Sequence, residues 1–104
     1  MKNEQKLMER MTALGFAERH SGTPMLRLAA ALAAQQPGAR ACKEIYPAVA
    51  RAAGVSPAAA ERNMRHAVHS AWRAAPEAWA SFCGPRRPTT METIARLVRD
   101  ADEN

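Results

Sequence analysis

Aromatic residues make up only 5% of this chain, and its 104 residues include just two cysteines. Cys42 and Cys83 form no Cys-x-x-Cys pair. One distant pair in a helical domain is poor evidence for secretion, so free, buried thiols are the expectation, with a disulfide left open. β-Branched residues are also few, whereas alanine is abundant, and that balance favours helices over strands. No run approaches the roughly 20 apolar residues of a membrane helix. The opening Met1-Lys2-Asn3-Glu4-Gln5-Lys6 lacks the apolar core of a signal peptide. These absences point to a cytoplasmic protein with no membrane partner. Chemistry-bearing patterns are missing too: there is no Gly-rich phosphate loop, no nucleophile beside a plausible base and no carboxylate cluster. No enzymatic activity, catalytic residue or cofactor is expected.

The charge balance is basic. Lys plus Arg number 15 against 10 Asp plus Glu, a formal +5. A merely soluble basic protein fits that excess as well as a nucleic-acid binder does, so the placement of the arginines decides. Most of the positive charge is arginine, whose planar fork suits phosphate and guanine. The length fits one domain, residues 1–104, which buries about 60–70% of the surface its unfolded chain exposes.

The segment Val49 to Arg62 has the plan of a helix, a tight turn and a second helix. Gly54 tolerates the left-handed backbone that ends the first, and Ala50, four residues earlier, lets the two helices cross closely. Ser56 suits the cap of the second, and Pro57 its first turn, where no N–H is needed. A cationic stripe follows: Arg62, Arg65, His66, His69, Arg73. Ala60, Met64, Ala67, Val68, Ala71 and Trp72 make the opposite, apolar stripe. This is the layout of a helix-turn-helix, placed at about residues 40–74, whose second helix enters the major groove. An ordinary αα-hairpin is the plainer reading.

Other helices surround it. Leu7, Met8, Met11 and Leu14 space a first helix from about Asn3 to Leu14, ended by Gly15. Thr23 and Pro24 are expected to open a second, stopped by Pro37-Gly38. A third starts near Ala39 to Ala41 and runs to about Ala53, with Ile45, Val49 and Ala53 sharing a face. Pro47 either bends it or confines its regular part to the stretch from Tyr46. The fourth spans Pro57 to about Ala74. A fifth runs from Pro76 to about Phe82, with Trp79 as a core anchor. Thr89 with Glu92 makes a capping box for a sixth, Thr90 to about Ala101. Asp100, Asp102 and Glu103 give an acidic end that is expected to fray.

Several blocks stand in order along the chain: Leu14-Gly15-Phe16, His20-Ser21-Gly22, Met25 to Ala29, Lys43 to Ala50 with its Tyr46-Pro47 pair, Glu61 to Val68 followed by Ala71-Trp72, and Arg87-Pro88-Thr89 with Glu92 and Ile94-Ala95. In this order they resemble the C-terminal DNA-binding domain of the stage-zero sporulation response regulator of spore-forming bacteria. Together they cover about Leu7 to Val98. The resemblance implies an all-α fold of about six helices and a bacterial transcription regulator that binds promoter DNA. It matches Glu61, Arg62, Arg65 and His66 to DNA-facing positions and Lys43 to a basic position at the start of the motif. The chain departs from the family at Ala59, where a basic residue is usual, at Asn63, which replaces a small apolar one, and in a shorter loop from Gly84 to Pro88. No phosphate-accepting receiver domain precedes the matched blocks here, so phosphorylation control is not inferred.

The expected partner is therefore double-stranded DNA. Arg62 and Arg65 can each fork onto guanine, while Glu61 either accepts from cytosine or, as favoured here, orients Arg65 four residues on. Amides near Ser56 and Ala58 favour a phosphate. Lys43, Arg51, Arg73, Arg86 and Arg87 are candidates for backbone contacts, with His66 on a phosphate or base and His69 beside it. A homodimer or tandem copies are expected, because one recognition helix reads few bases, and RNA polymerase is a further candidate partner. His66 and His69 stand three apart, but a zinc site would need ligands from Cys42, Cys83 or His20, and no metal is expected. A protein-interaction domain that kept the fold, and more weakly an RNA-binding module, are the alternatives; the latter lacks an aromatic stacking platform.

Overall fold

A computed structural model describes residues 4–102, with the side chains at 41 and 42 excepted. Its helices are α1 (Glu4–Ala13), α2 (Gly22–Gln35), a π-helical segment (Ala41–Ile45), α3 (Tyr46–Ala53), α4 (Pro57–Ala74), α5 (Pro76–Cys83) and α6 (Thr90–Asp102). No strand occurs among the described residues, and the fold class is all-α as the composition implies. The expected helix start at Asn3 and the acidic Glu103 lie outside the described residues.

Most boundaries follow local chemistry. The capping box holds as read: Thr89 N–H donates to Glu92 Oε1 at 2.8 Å, and Glu92 N–H to Thr89 Oγ1 at 3.1 Å. The start of α2 differs from expectation. Thr23 is not its cap, because its hydroxyl donates backwards to Ala17 O at 2.7 Å and the side chain is fully buried. The helix opens at Gly22, with Ser21 at the cap position two residues before Thr23, and the His20 ring takes the Gly22 N–H on Nδ1 at 3.1 Å. Pro47 is accommodated by a widened turn. Ile45 N–H reaches back five residues to Arg40 O at 3.1 Å, and regular α-helix begins at Tyr46. A proline ring crowds the carbonyl four residues before it and offers it no N–H, and a π turn just ahead relieves both.

The core is centred on Trp79, which has no exposed surface. Its Nε1–H donates to Leu14 O at 2.8 Å, which ties α5 to the end of α1. Phe16 and Phe82 flank the indole at ring separations of 5.7 and 6.0 Å, in the tilted and edge-on geometries that aromatic quadrupoles favour. Phe82 also receives two guanidinium groups, Arg10 at 5.5 Å and Arg96 at 5.6 Å from its ring centre. Arg10 forks onto Asp100 with bonds of 3.1 and 3.0 Å. That pair corrects the expected fraying: Asp100 pins α6 to α1, and Ala101 is buried beside it. Ala53, expected inside, is exposed at the last position of α3, one turn beyond the buried Val49 and Ala50. Cys83 is a free thiol but only half-buried. Its Sγ–H points to Trp79 O at 3.6 Å, and the partial burial pushes the thiol above its ordinary range.

Gly22 is where α2 meets the middle of α4. A Cβ there would sit 2.1 Å from Asn63 O and 2.8 Å from Ala67 Cβ. The obstacle is the backbone of α4 itself, which no rotamer change can clear. Gly22→Ala should therefore lower stability by about 1–3 kcal/mol, the usual overpacking cost. In thermal unfolding that is roughly 4–8 °C per kcal/mol for a domain near this size. An unchanged midpoint would show that α2 and α4 can separate freely.

Candidate nucleic-acid interface

The interface is built from the turn between α3 and α4. Gly54 has φ 74°, the left-handed value that glycine adopts without steric cost. Behind it Val55 N–H returns to Ala50 O at 3.0 Å and Gly54 N–H to Arg51 O at 3.4 Å, closing the end of α3. Ala50 and Ala60 are buried on either side of the turn, small enough for the two helices to cross closely. Ser56 is extended, and its Oγ accepts from Ala59 N–H at 3.1 Å. Ala60 N–H bonds to Ser56 O, and Pro57 has no N–H. Of the first-turn donors in α4, the Ala58 amide is the one left pointing outward without an acceptor.

The two faces of α4 separate cleanly. Ala60, Met64, Ala67, Val68 and Ala71 are buried, while Trp72 is only partly covered. Arg62, Arg65, His66 and Arg73 are exposed, as are Lys43 in the π-helical segment and Arg51 on α3. Arg65 Nη1 donates to Glu61 Oε1 at 2.5 Å, the i,i+4 pair that the spacing allows. Arg62 and His66 have no partner among the described residues. Asn63 turns toward α2, its Nδ2 lying 4.0 Å from Met25 Sδ. This replacement for a small apolar residue therefore lies on the supporting side of α4.

His69 is placed differently from its neighbours. It is half-buried, and its Nδ1 accepts from Arg87 Nη1. The loop between α5 and α6 is thus fastened to α4 by a contact that spacing does not reveal. An accepting ring must be neutral. Partial burial holds its pKa below the ordinary 6.5, and the charges of Arg87, Arg73 and His66 add to that effect. Arg86, by contrast, is well exposed and lies only within 3.8 Å of Glu92 Oε2, a surface pairing of little energetic weight. Among the described residues no three His, Cys, Asp or Glu side chains are grouped as a metal site would need.

The site is thus an exposed cationic helix behind a tight turn, on an all-helical body. The family model described as sporulation initiation factor Spo0A C terminal matches residues 7–100, and the chain belongs to that family. The family is one of DNA-binding effector domains of a regulator of sporulation, not of enzymes. Among curated proteins no sequence matches the chain. No helix of the described residues is long and apolar enough to cross a membrane.

The Arg87–His69 contact has a measurable signature. In the unfolded chain His69 regains its ordinary value, so between the two values the unfolded state binds more protons. The stability linked to the neutral ring is complete above 6.5 and is lost as pH falls below it. A proton-detected titration of the ring should show His69 titrating below 6.5, and Arg87→Ala should move it upward. No movement in Arg87→Ala would mean that the loop does not rest on α4 in solution.

Proposed function

We propose that this protein is a sequence-specific double-stranded DNA-binding domain of a bacterial transcription regulator, acting in the cytoplasm through α4 in the major groove. The observation that carries this reading is the outward ridge of Arg62, Arg65 and His66, opposite a face that is buried along its length. Arg62 and Arg65 read guanine O6 and N7, and Glu61 holds Arg65 in its reading position. The Ala58 amide beside the Ser56 cap takes a phosphate on the positive end of α4. Lys43, Arg51, Arg73 and His66 contact the backbone, and His69 acts there by holding Arg87.

One helix of this length reads few base pairs, so the domain binds as a homodimer or in tandem copies, with RNA polymerase as a further partner at promoters. The whole of residues 1–104 serves as one such domain.

The test is a fluorescence-anisotropy titration against mixed duplexes at two salt concentrations. Arg62→Ala and Arg65→Ala should each remove about 1–3 kcal/mol of discrimination and relax preference at one base pair. Arg73→Ala should weaken all duplexes alike and reduce the slope of log K against log salt by about 0.9. Weak binding without sequence preference, unaltered in Arg62→Ala and Arg65→Ala, would favour a protein-interaction domain instead.

A further inference from the structure

Beside the recognition helix lies a cleft of about 360 Å³ between α4 and the start of α6. Tyr46, Glu61, Arg65, Arg87, Thr89 and Thr90 line it. Thr90 is 6% exposed, yet its hydroxyl is buried without a hydrogen-bond partner, alone in this among the buried side-chain nitrogens and oxygens of the described residues. The other two buried threonines are satisfied, Thr23 by Ala17 O and Thr93 by Thr89 O. An unpaired buried hydroxyl carries a desolvation penalty that a bound acceptor relieves.

The backbone beside Thr90 has the same deficit. The capping box uses the amides of Thr89 and Glu92, and Thr93 N–H bonds to Thr89 O. The Thr90 and Met91 amides are left without acceptors at the positive end of a thirteen-residue helix. Of the ionisable side chains named above, Arg65 and Arg87 outnumber Glu61, whose charge is already matched by Arg65. Unpaired donors, a helix N-terminus and net positive charge call for an acceptor-only, anionic group.

We propose that this cleft is a phosphate-binding subsite that grips one backbone phosphate at the edge of the groove occupied by α4. The proposal rests on the groove reading above. Glu61 and Arg65 belong to both places, so a duplex seated on the arginine ridge brings its flanking strand to the mouth of the cleft. Thr90 and the amides of Thr90 and Met91 then donate to the phosphate, with Arg87 held beside it by His69. The contact carries no sequence information; it sets how the domain lies along the duplex.

Thr90→Val separates this role from a structural one. Valine keeps the shape and removes only the unpaired hydroxyl, so melting should be unchanged or slightly raised. Duplex affinity should nevertheless fall about tenfold, as for a lost hydrogen bond to a charged group. With a duplex carrying a single neutral methylphosphonate at the gripped position, wild type and Thr90→Val should bind equally. In a second arm, inorganic phosphate is titrated into the DNA-free protein while the Thr90 and Met91 amide resonances are followed. Saturable shifts that vanish in Thr90→Val, with duplex affinity unchanged, would support the phosphate site and assign it to a free anion instead of DNA. If Thr90→Val matches wild type in both arms, the subsite is overturned. Should that happen while Arg62→Ala and Arg65→Ala still lose binding, the groove reading stands alone. Should the arginine variants bind normally, the groove reading fails, and the phosphate titration still decides the cleft.

Discussion

The contact between Gly22 and the backbone of α4 is the constraint on which the rest of the structure depends. Helices normally meet through side chains, at 8–10 Å between axes. Here the first residue of α2 comes against Asn63 O with no room for even one methyl group. Ala67 continues the same small surface one turn on. The effect is to seat the middle of α4 against α2 along its inner face, leaving the opposite face nothing to pack on. The exposure of Arg62, Arg65 and His66 thus follows from how small the residues behind them are. An alanine-rich interior gives up side-chain burial per residue and gains close approach of backbones. In this chain that close approach is what turns a bundle of short helices into a rigid mount.

A second set of contacts holds the far end of α4. Gly15 has φ 86°, and a Cβ on it would lie 3.3 Å from Ala71 O, so the turn after α1 is pressed onto the last turns of α4. The Trp79 bond to Leu14 O fixes that turn from the other side. Arg10, Asp100, Phe82 and Arg96 then link α1, α6 and α5 in one cluster, in which each guanidinium meets an aromatic face and an oxygen acceptor. Arginines laid over an aromatic ring in this way contribute through their stems and ring contacts as well as their charge. Arg10 and Arg96 thus belong to the framework and not to the basic stripe of α4.

What the sequence discloses divides along the range of the interaction. Ser56, Pro57 and Gly54 act on their immediate neighbours, so the turn and the start of α4 were legible, as was the Thr89–Glu92 capping box. The apolar period gave the correct inner face of α4, because burial on one helix face is a local pattern. Thr23 misled because a threonine before a proline has the signature of a cap whether its hydroxyl bonds forward to the helix or back to Ala17. Asp100 looked like part of an acidic tail because its partner Arg10 is ninety positions away. His69 read as one more member of the basic stripe, since nothing in its spacing announces Arg87. Glu61 was the exception among pairings: an i,i+4 partner is close enough in sequence to be read directly.

Arg62 and Arg65, the arginines proposed to read bases, are prepared differently, and that difference bears on what each would do on DNA. Arg65 is paired with Glu61 before any partner arrives, so part of its side-chain freedom is already restricted. In the proposed complex the same carboxylate would compete with a guanine for its donors, and its own charge would face the DNA. A matched base would offset that competition, whereas an unmatched one would leave the Glu61 charge beside the duplex with nothing gained. Arg62 has no such partner and loses its freedom only on binding. In that reading the ion pair on α4 would weaken indiscriminate attraction more than it weakens a matched contact. In a domain carrying a formal +5, attraction to any duplex is easily obtained, and discrimination has to come from groups that penalise the wrong one.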